Sequence, residues 1–169
     1  ISTVFDDSWG TIAKKLGDDA VADLVIETAE GPSLIPAHPG LDTLDSDLGN
    51  IDDARERYTR LEQFLDEYVD PLDYDVVLID LPGMTNNVTY NGLWAARHAI
   101  TPVEMGPFEA EQADALRRDL EKIDENFSID IELSLVLPNK VDTRTNLAEE
   151  YLSSFEEEYS DAIAHHCIL

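Results

Sequence analysis

The run Asp75-Val76-Val77-Leu78-Ile79-Asp80 constrains this chain more than any other segment. Consecutive large apolar residues, mostly β-branched and bracketed by Asp, leave no side of a strand for solvent. Such a run predicts a strand covered on both faces, as in the middle of a parallel sheet. Parallel strands need long crossovers, and those are usually helices. The run therefore predicts an α/β chain in which helices alternate with strands.

The rest of the sequence supplies that alternation. Trp9, Ile12 and Leu16 fall on one helical face, and Asp19–Thr28 reads as a short helix or an extended piece. Ser33-Leu34-Ile35-Pro36 predicts a short buried strand ended by its proline. His38–Asn50, with Pro39, Gly40 and Gly49, reads mostly as loop. Ile51, Ala54, Tyr58, Leu61, Leu65 and Tyr68 form one helical stripe, stopped by Asp70-Pro71. After the 75–80 run come a helix near Leu93–His98, a buried strand over Ala99–Met105 and a long helix over Phe108–Ile123. That helix turns Ala113, Leu116, Leu120 and Ile123 inward. Ile129–Leu137 predicts a third clear strand, counted from the 75–80 run, Asn146–Tyr159 a further helix, and Ile163–Leu169 the start of another strand. Trp94 and Tyr90 are expected in the core or at a dimer face. The fold expected is an α/β sandwich, its mostly parallel sheet flanked by helices, with residues 1–169 as a single domain.

In such sheets ligands bind at the carboxyl ends of the strands. Asp80-Leu81-Pro82-Gly83 follows the first clear strand, over 75–80. A carboxylate there has the Walker B arrangement and can hold Mg²⁺ directly or through water beside nucleotide phosphates. Pro82 and Gly83 would let the chain turn near a γ-phosphate. The bland reading is a helix cap or a solvent turn. Pro138-Asn139-Lys140-Val141-Asp142 ends the third strand. The Asn139 amide offers a donor and an acceptor to a purine edge, and the Lys140 stem can cover a ring. The bland reading is a turn that favours Asn. His165-His166-Cys167 reads as strand residues rather than a metal site, and His38 and His98 as lone structural histidines. Arg117-Arg118 reads as intrahelical ion-pair partners, with DNA contact the alternative.

Several pieces resemble the ParA/MinD/Soj family of deviant-Walker ATPases, in that family's order. Leu34-Ile35-Pro36-Ala37-His38 is similar to its "LIPA" segment, and Tyr74–Pro82 to "YDxIIIDxPP". Ala99-Ile100-Thr101-Pro102-Val103 is similar to its "IPV" strand, with Phe108-Glu109-Ala110-Glu111 following. Leu137–Leu147 resembles "LxNxxDxRTNL", its Arg144-Thr145 pair being the most specific element. The resemblance implies an ATP-binding switch used for plasmid or chromosome partition or for positioning other cargo. Asp80 would be the Walker B acid near Mg²⁺, and Pro82 and Gly83 the sensor of the γ-phosphate. Asn139 would contact adenine, with Lys140, Asp142 and Arg144 in the same motif. Water would attack the γ-phosphate while Mg²⁺ and lysines stabilise charge. The implied partners are a second copy in the ATP state, a ParB-like protein and nonspecific DNA. The family's second proline after the Walker B Asp is Gly83 here.

No G-x-x-x-x-G-K-[ST] sequence occurs in these 169 residues. That loop is expected upstream of Ile1, on about 45 to 60 residues typical of one strand–loop–helix–strand unit. The chain would then be an N-terminally incomplete domain and, alone, would not bind or hydrolyse ATP tightly. Two other readings stand beside this one. Asp80-x-x-Gly83 with Asn139-Lys140-x-Asp142 also fits the guanine-reading motifs of GTPases. If the loop is truly lacking, the chain is a degenerate module that works by binding partners.

Acidic residues number 37 against 11 Lys and Arg, a net charge of −26. Such a surface repels itself and opposes nucleic-acid binding unless salt screens it. Adaptation to high salt explains it most simply. The single Cys167, with no signal peptide and no membrane-length apolar run, fits the cytoplasm. Screening is nearly complete where the Debye length is about 3 Å, at ~1 M salt. The thermal midpoint is therefore expected to rise steadily with KCl up to about that concentration, followed by circular dichroism. A midpoint indifferent to KCl would remove the salt-adaptation reading.

Overall fold

The computed structural model describes residues 24–29, 31–37, 41–83, 86–104, 107–141, 146–160 and 162–163. The expected helix over Ser8–Leu16, and His38 and Cys167, lie outside them. The chain divides into two compact units, Ile1–Ala96 and Arg97–Leu169.

In the first unit, β1 (Ile26–Glu27) and β2 (Ser33–Leu34) pair antiparallel. Gly31 turns the hairpin at φ 111°, where a side chain would be strained. The Ser33–Pro36 strand is thus present but not buried: Leu34 is half exposed. The loop expected over His38–Asn50 is instead largely helix α1 (Leu41–Gly49). Gly49 is the last residue of that helix, where a glycine is expected, and 38–40 lie outside the described residues. Its Leu44 and Leu48 are buried with Phe64 and Val69, and Ile35, Ile51, Leu61, Leu65, Tyr68 and Val88 pack around them.

The predicted stripe from Ile51 to Tyr68 is helical but broken. Asp53 caps α2 (Ala54–Tyr58), accepting from the Glu56 amide at 2.8 Å. After Thr59 the chain restarts as α3 (Arg60–Phe64), widens into a π turn over Leu65–Val69 and tightens into a 3₁₀ turn over Asp70–Leu72. Pro71 is accommodated in that first 3₁₀ turn, so the stop falls at left-handed Asp73 (φ 59°), beyond the Asp70-Pro71 expected.

Helix α4 (Asn87–Ala96) begins earlier than the expected Leu93. Asn86 caps it, its Oδ1 accepting from the Thr89 amide at 2.9 Å. Trp94 is buried, its indole N–H donating to Glu62 at 3.1 Å. The Asn91 side chain, fully buried, donates to the Arg57 carbonyl at 3.0 Å and accepts from the Leu61 amide at 3.4 Å. Those are the two groups that a continuous helix would join to each other. A side chain inserted into the helical ladder is a recognised cause of a break, and it accounts for the one at Thr59.

The strand expected over Asp75–Asp80 is not formed. The segment carries no strand pairing among the described residues, and Val76 and Leu78 are 72% and 83% exposed. A strand exists only as a rung of a ladder. The apolar run records a need for neighbouring strands, and none of the described segments meets it.

In the second unit, β3 (His98–Glu104) and β4 (Glu132–Asn139) pair in parallel, in register from Ile100↔Leu135 to Glu104↔Asn139. The crossover between them is α5 (Pro107–Phe127). β3 alternates: Ala99 and Val103 are buried, while Ile100 faces solvent. It is half-covered rather than the fully buried strand expected. Ala113, Val103 and Val136 form one core with Phe155 from the helix Asn146–Glu158, here α6, and with Tyr159 just after it. Leu120 and Ile123 are buried as expected and Leu116 partly so. Ile163 makes an isolated parallel bridge to Val136, and the rest of the strand expected there, 164–169, lies outside the described residues.

Replacing Asn91 by Ala removes the amide that satisfies the Arg57 carbonyl and the Leu61 amide. Unfolding free energy should fall by about 1–3 kcal/mol, whereas Asn126→Ala on the exposed side of α5 should stay within about 0.5 kcal/mol. Urea titration of both variants checks this.

Candidate functional site

The carboxyl end of the β3–β4 pair places Glu104 directly beside Asn139. Pro138 is buried and Val141 is 4% exposed, so both sides of the Asn139-Lys140 turn are anchored. Between them Lys140 adopts φ 53°. The left-handed region costs a non-glycine residue about 1–2 kcal/mol, and Lys140 has no small polar side chain to offset that locally. Its ammonium forms an ion pair with Glu104. The hydrogen bond from Lys140 to Glu104, with the carboxylate charge second, raises the lysine above its ordinary 10.5. Both partners are largely exposed, so salt screens the pair. Asn139 is partly buried, at the strand end. The turn presents an amide and an aliphatic stem at the mouth of a parallel sheet. Asp142 and Arg144 lie outside the described residues.

Asp80, Pro82 and Gly83 belong to the first unit and are all exposed. A Cβ at Gly83 would meet nothing within 4 Å, and Gly31 is the glycine with positive φ among the described residues. The turn after Asp80 therefore does not draw on glycine's conformational freedom. Among the described residues no group of three His, Cys, Asp or Glu could hold a metal ion. Asp80 offers one hard carboxylate, enough for a cation held otherwise by phosphate and water.

Other polar groups have structural work. Arg117 pairs with Asp114 at 3.0 Å, as the intrahelical reading expected, and lies 4.9 Å over the Tyr159 ring. The Tyr159 hydroxyl donates to Asp114 at 2.6 Å. Burial first, and that bond second, push the phenol far above its usual range, so it stays a donor. His98 is not alone: Nδ1 lies 2.9 Å from Ser134 Oγ and 3.2 Å from Glu132. The same ring nitrogen, Nδ1, faces both partners. Sequence reasoning missed Glu104 and Asn91. Glu104 gives no local signal, its partner lying 36 residues away. Asn91 does: it is a polar residue within the apolar face of Tyr90–Trp94.

A family model described as an AAA domain matches residues 5–133. The chromosome partitioning protein ParA of Caulobacter vibrioides is 28% identical over 149 residues, 88% of this chain and 55% of that protein. The chromosome-partitioning ATPase Soj of Treponema pallidum is 27% identical over 111 residues, 66% of this chain and 43% of that protein. The chain thus spans about half the length of the curated relatives it matches. Cobyrinic acid a,c-diamide synthase from Mycobacterium smegmatis, solved with an ATP analog and magnesium, superposes with TM-score 0.72 at 23% identity, over 89% of this chain and 62% of that one. A variant of Cyanothece McdA in complex with ATP gives TM-score 0.70 at 17% identity, over 90% and 58%. Those two likenesses show the fold, that of the P-loop NTPases. No helix among the described residues is long and apolar enough to cross a membrane.

Raised by Glu104, Lys140 gives its ion-pair stabilisation in full below pH 10.5 and loses it as pH rises through the higher folded value. Carbon-13 NMR of the Lys140 side chain should titrate above 10.5, and Glu104→Gln should return it toward that value. An unchanged titration in the variant would remove the ion pair.

Proposed function

We propose, from the premise that this chain belongs to the AAA-domain family as a ParA-like P-loop ATPase, that the intact protein is an ATP-driven switch for partitioning or positioning a cargo. One observation carries the reading. The Asn139-Lys140 turn closes a parallel strand pair at its carboxyl end, the place where this fold takes nucleotide, in a chain similar to ParA over most of its length. Residues 1–169 form one nucleotide-binding domain, with the two units as its parts.

The residues fit ATP and Mg²⁺. The Asn139 amide can pair with the adenine edge, and the Lys140 stem, held at its tip by Glu104, can lie along the ring. Asp142 and Arg144 complete that motif. Asp80 supplies a hard oxygen ligand to Mg²⁺, directly or through water, and Pro82 and Gly83 form the turn that senses the γ-phosphate. Bound Mg²⁺ neutralises charge developing on the phosphate oxygens. The chain's own residues bind, orient and sense.

ATP-dependent homodimerisation, a ParB-like partner and nonspecific DNA contact belong to this proposal, as do a cytoplasmic setting and a role in plasmid or chromosome segregation. So does salt adaptation, which the charge of −26 supports. The 169 residues alone are proposed to be inactive, because no phosphate-cradling loop occurs among them.

In the intact protein, Asp80→Ala should abolish Mg²⁺-dependent ATP hydrolysis, a loss of about 10³-fold or more, with an unchanged circular dichroism spectrum. Wild-type turnover in that variant would leave Asp80 a plain turn residue. Preference for GTP in the parent enzyme would assign the Asn139 motif to guanine instead.

A further inference from the structure

The residues around the Asp80–Gly83 turn are gripped by contacts that nucleotide binding does not require. Leu81, next to Asp80, lies against the middle of α4. A Cβ added at Gly92 would stand 2.4 Å from Leu81 Cδ2 and 3.2 Å from its Cγ. The seat exists because residue 92 is glycine. It is also fixed in place, since the neighbouring Asn91 ties α4 to α2 and α3.

The first turn of α4 has a separate anchor. The Asn87 amide N–H donates to Asp45 Oδ1 at 2.7 Å, and Asn87 Nδ2 donates to the Asp45 carbonyl at 3.0 Å. Both bonds are partly buried and span 42 residues of sequence. A carboxylate suits the amino end of a helix, where unpaired N–H groups concentrate positive charge. Asp45 is itself immobilised, because Leu44 and Leu48 of the same helix are buried in the core. The acidic turn, α4 and α1 are therefore joined by close-packed and hydrogen-bonded contacts with little free play.

We propose that Asp45 is a positioning residue for the Asp80–Gly83 turn: through Asn87 it fixes the first turn of α4, so that α1 and the turn respond as one body when a nucleoside triphosphate is bound. The inference rests on the reading of Asp80–Gly83 as the γ-phosphate sensor. Its consequence is that the exposed side of α1, with Ser46 and Asp47, changes its dynamics with nucleotide state although it need not touch nucleotide.

The test is amide hydrogen exchange read by mass spectrometry on the intact protein, with and without Mg²⁺ and a non-hydrolysable ATP analogue. Nucleotide affinity is measured separately on the same samples. In the wild type the analogue should slow exchange in 41–49 and 86–96 together, by ~threefold or more. Asp45→Asn keeps an acceptor oxygen and should keep the joint response. Asp45→Ala should lose the response in 41–49 while binding the analogue with little change in affinity. A response in 41–49 that survives Asp45→Ala overturns the proposal, as does a wild-type α1 that ignores bound analogue. A wild type that binds no triphosphate overturns the nucleotide reading, and this inference with it. Should Asp45→Ala fail to fold, Asn87→Ala removes only the side-chain bond. A weakened response in 41–49 then supports the proposal, and an undiminished one overturns it.

Discussion

A side-chain amide stands in for a rung of helix in the first unit, and much of that unit is arranged around it. Asn91 reaches from α4 to the Arg57 carbonyl and the Leu61 amide. It thereby satisfies two backbone groups that the break at Thr59 would otherwise leave to be hydrated or lost. The break redirects the chain. Tyr58, before it, packs near Tyr90 and Trp94, while Phe64 and Leu65, after it, join Leu44 and Leu48. An unbroken helix would present one straight stripe to a single neighbour. The bent one meets α4 with both parts, through Tyr58 before the break and Leu61 and Glu62 after it, and turns Phe64 and Leu65 toward α1.

The second unit uses a different device for the same end. Tyr159 is buried at the end of α6, and its hydroxyl reaches Asp114 on α5 while Arg117 covers its ring. Burial first, and the bond to Asp114 second, raise the phenol, so it is the donor of this pair. With Phe155 it seats both helices over Val103 and Val136. The carboxyl ends of the strands, where Asn139 and Lys140 stand, begin just beyond Val103.

Periodicity made the helices legible. Ala113, Leu120 and Ile123 fell where their spacing put them, and the strands expected from the later apolar runs differ from the observed β3 and β4 by a few residues at their ends. Three kinds of feature were not legible. The helix over Leu41–Gly49 was hidden because its bounding Pro and Gly residues were read as loop chemistry. The break at Thr59 depends on a side chain about thirty residues away. The 75–80 run predicted burial, yet burial is a property of neighbours and not of the run. For the candidate site, the Asn139-Lys140 turn was visible as a motif. Its ion pair with Glu104 was not, because a cross-strand partner leaves no mark on local sequence.

The exposed strip Val76-Val77-Leu78 gives salt two opposed effects on this chain. At low ionic strength the surplus of carboxylates keeps copies apart while it strains each copy from within. Adding salt relaxes both forces at once. The fold gains, but so does any encounter in which one bare strip lies along another and supplies the ladder that neither has alone. Solubility and stability of the chain as it stands must therefore trade against each other across ionic strength, and the most workable concentration of salt is an intermediate one.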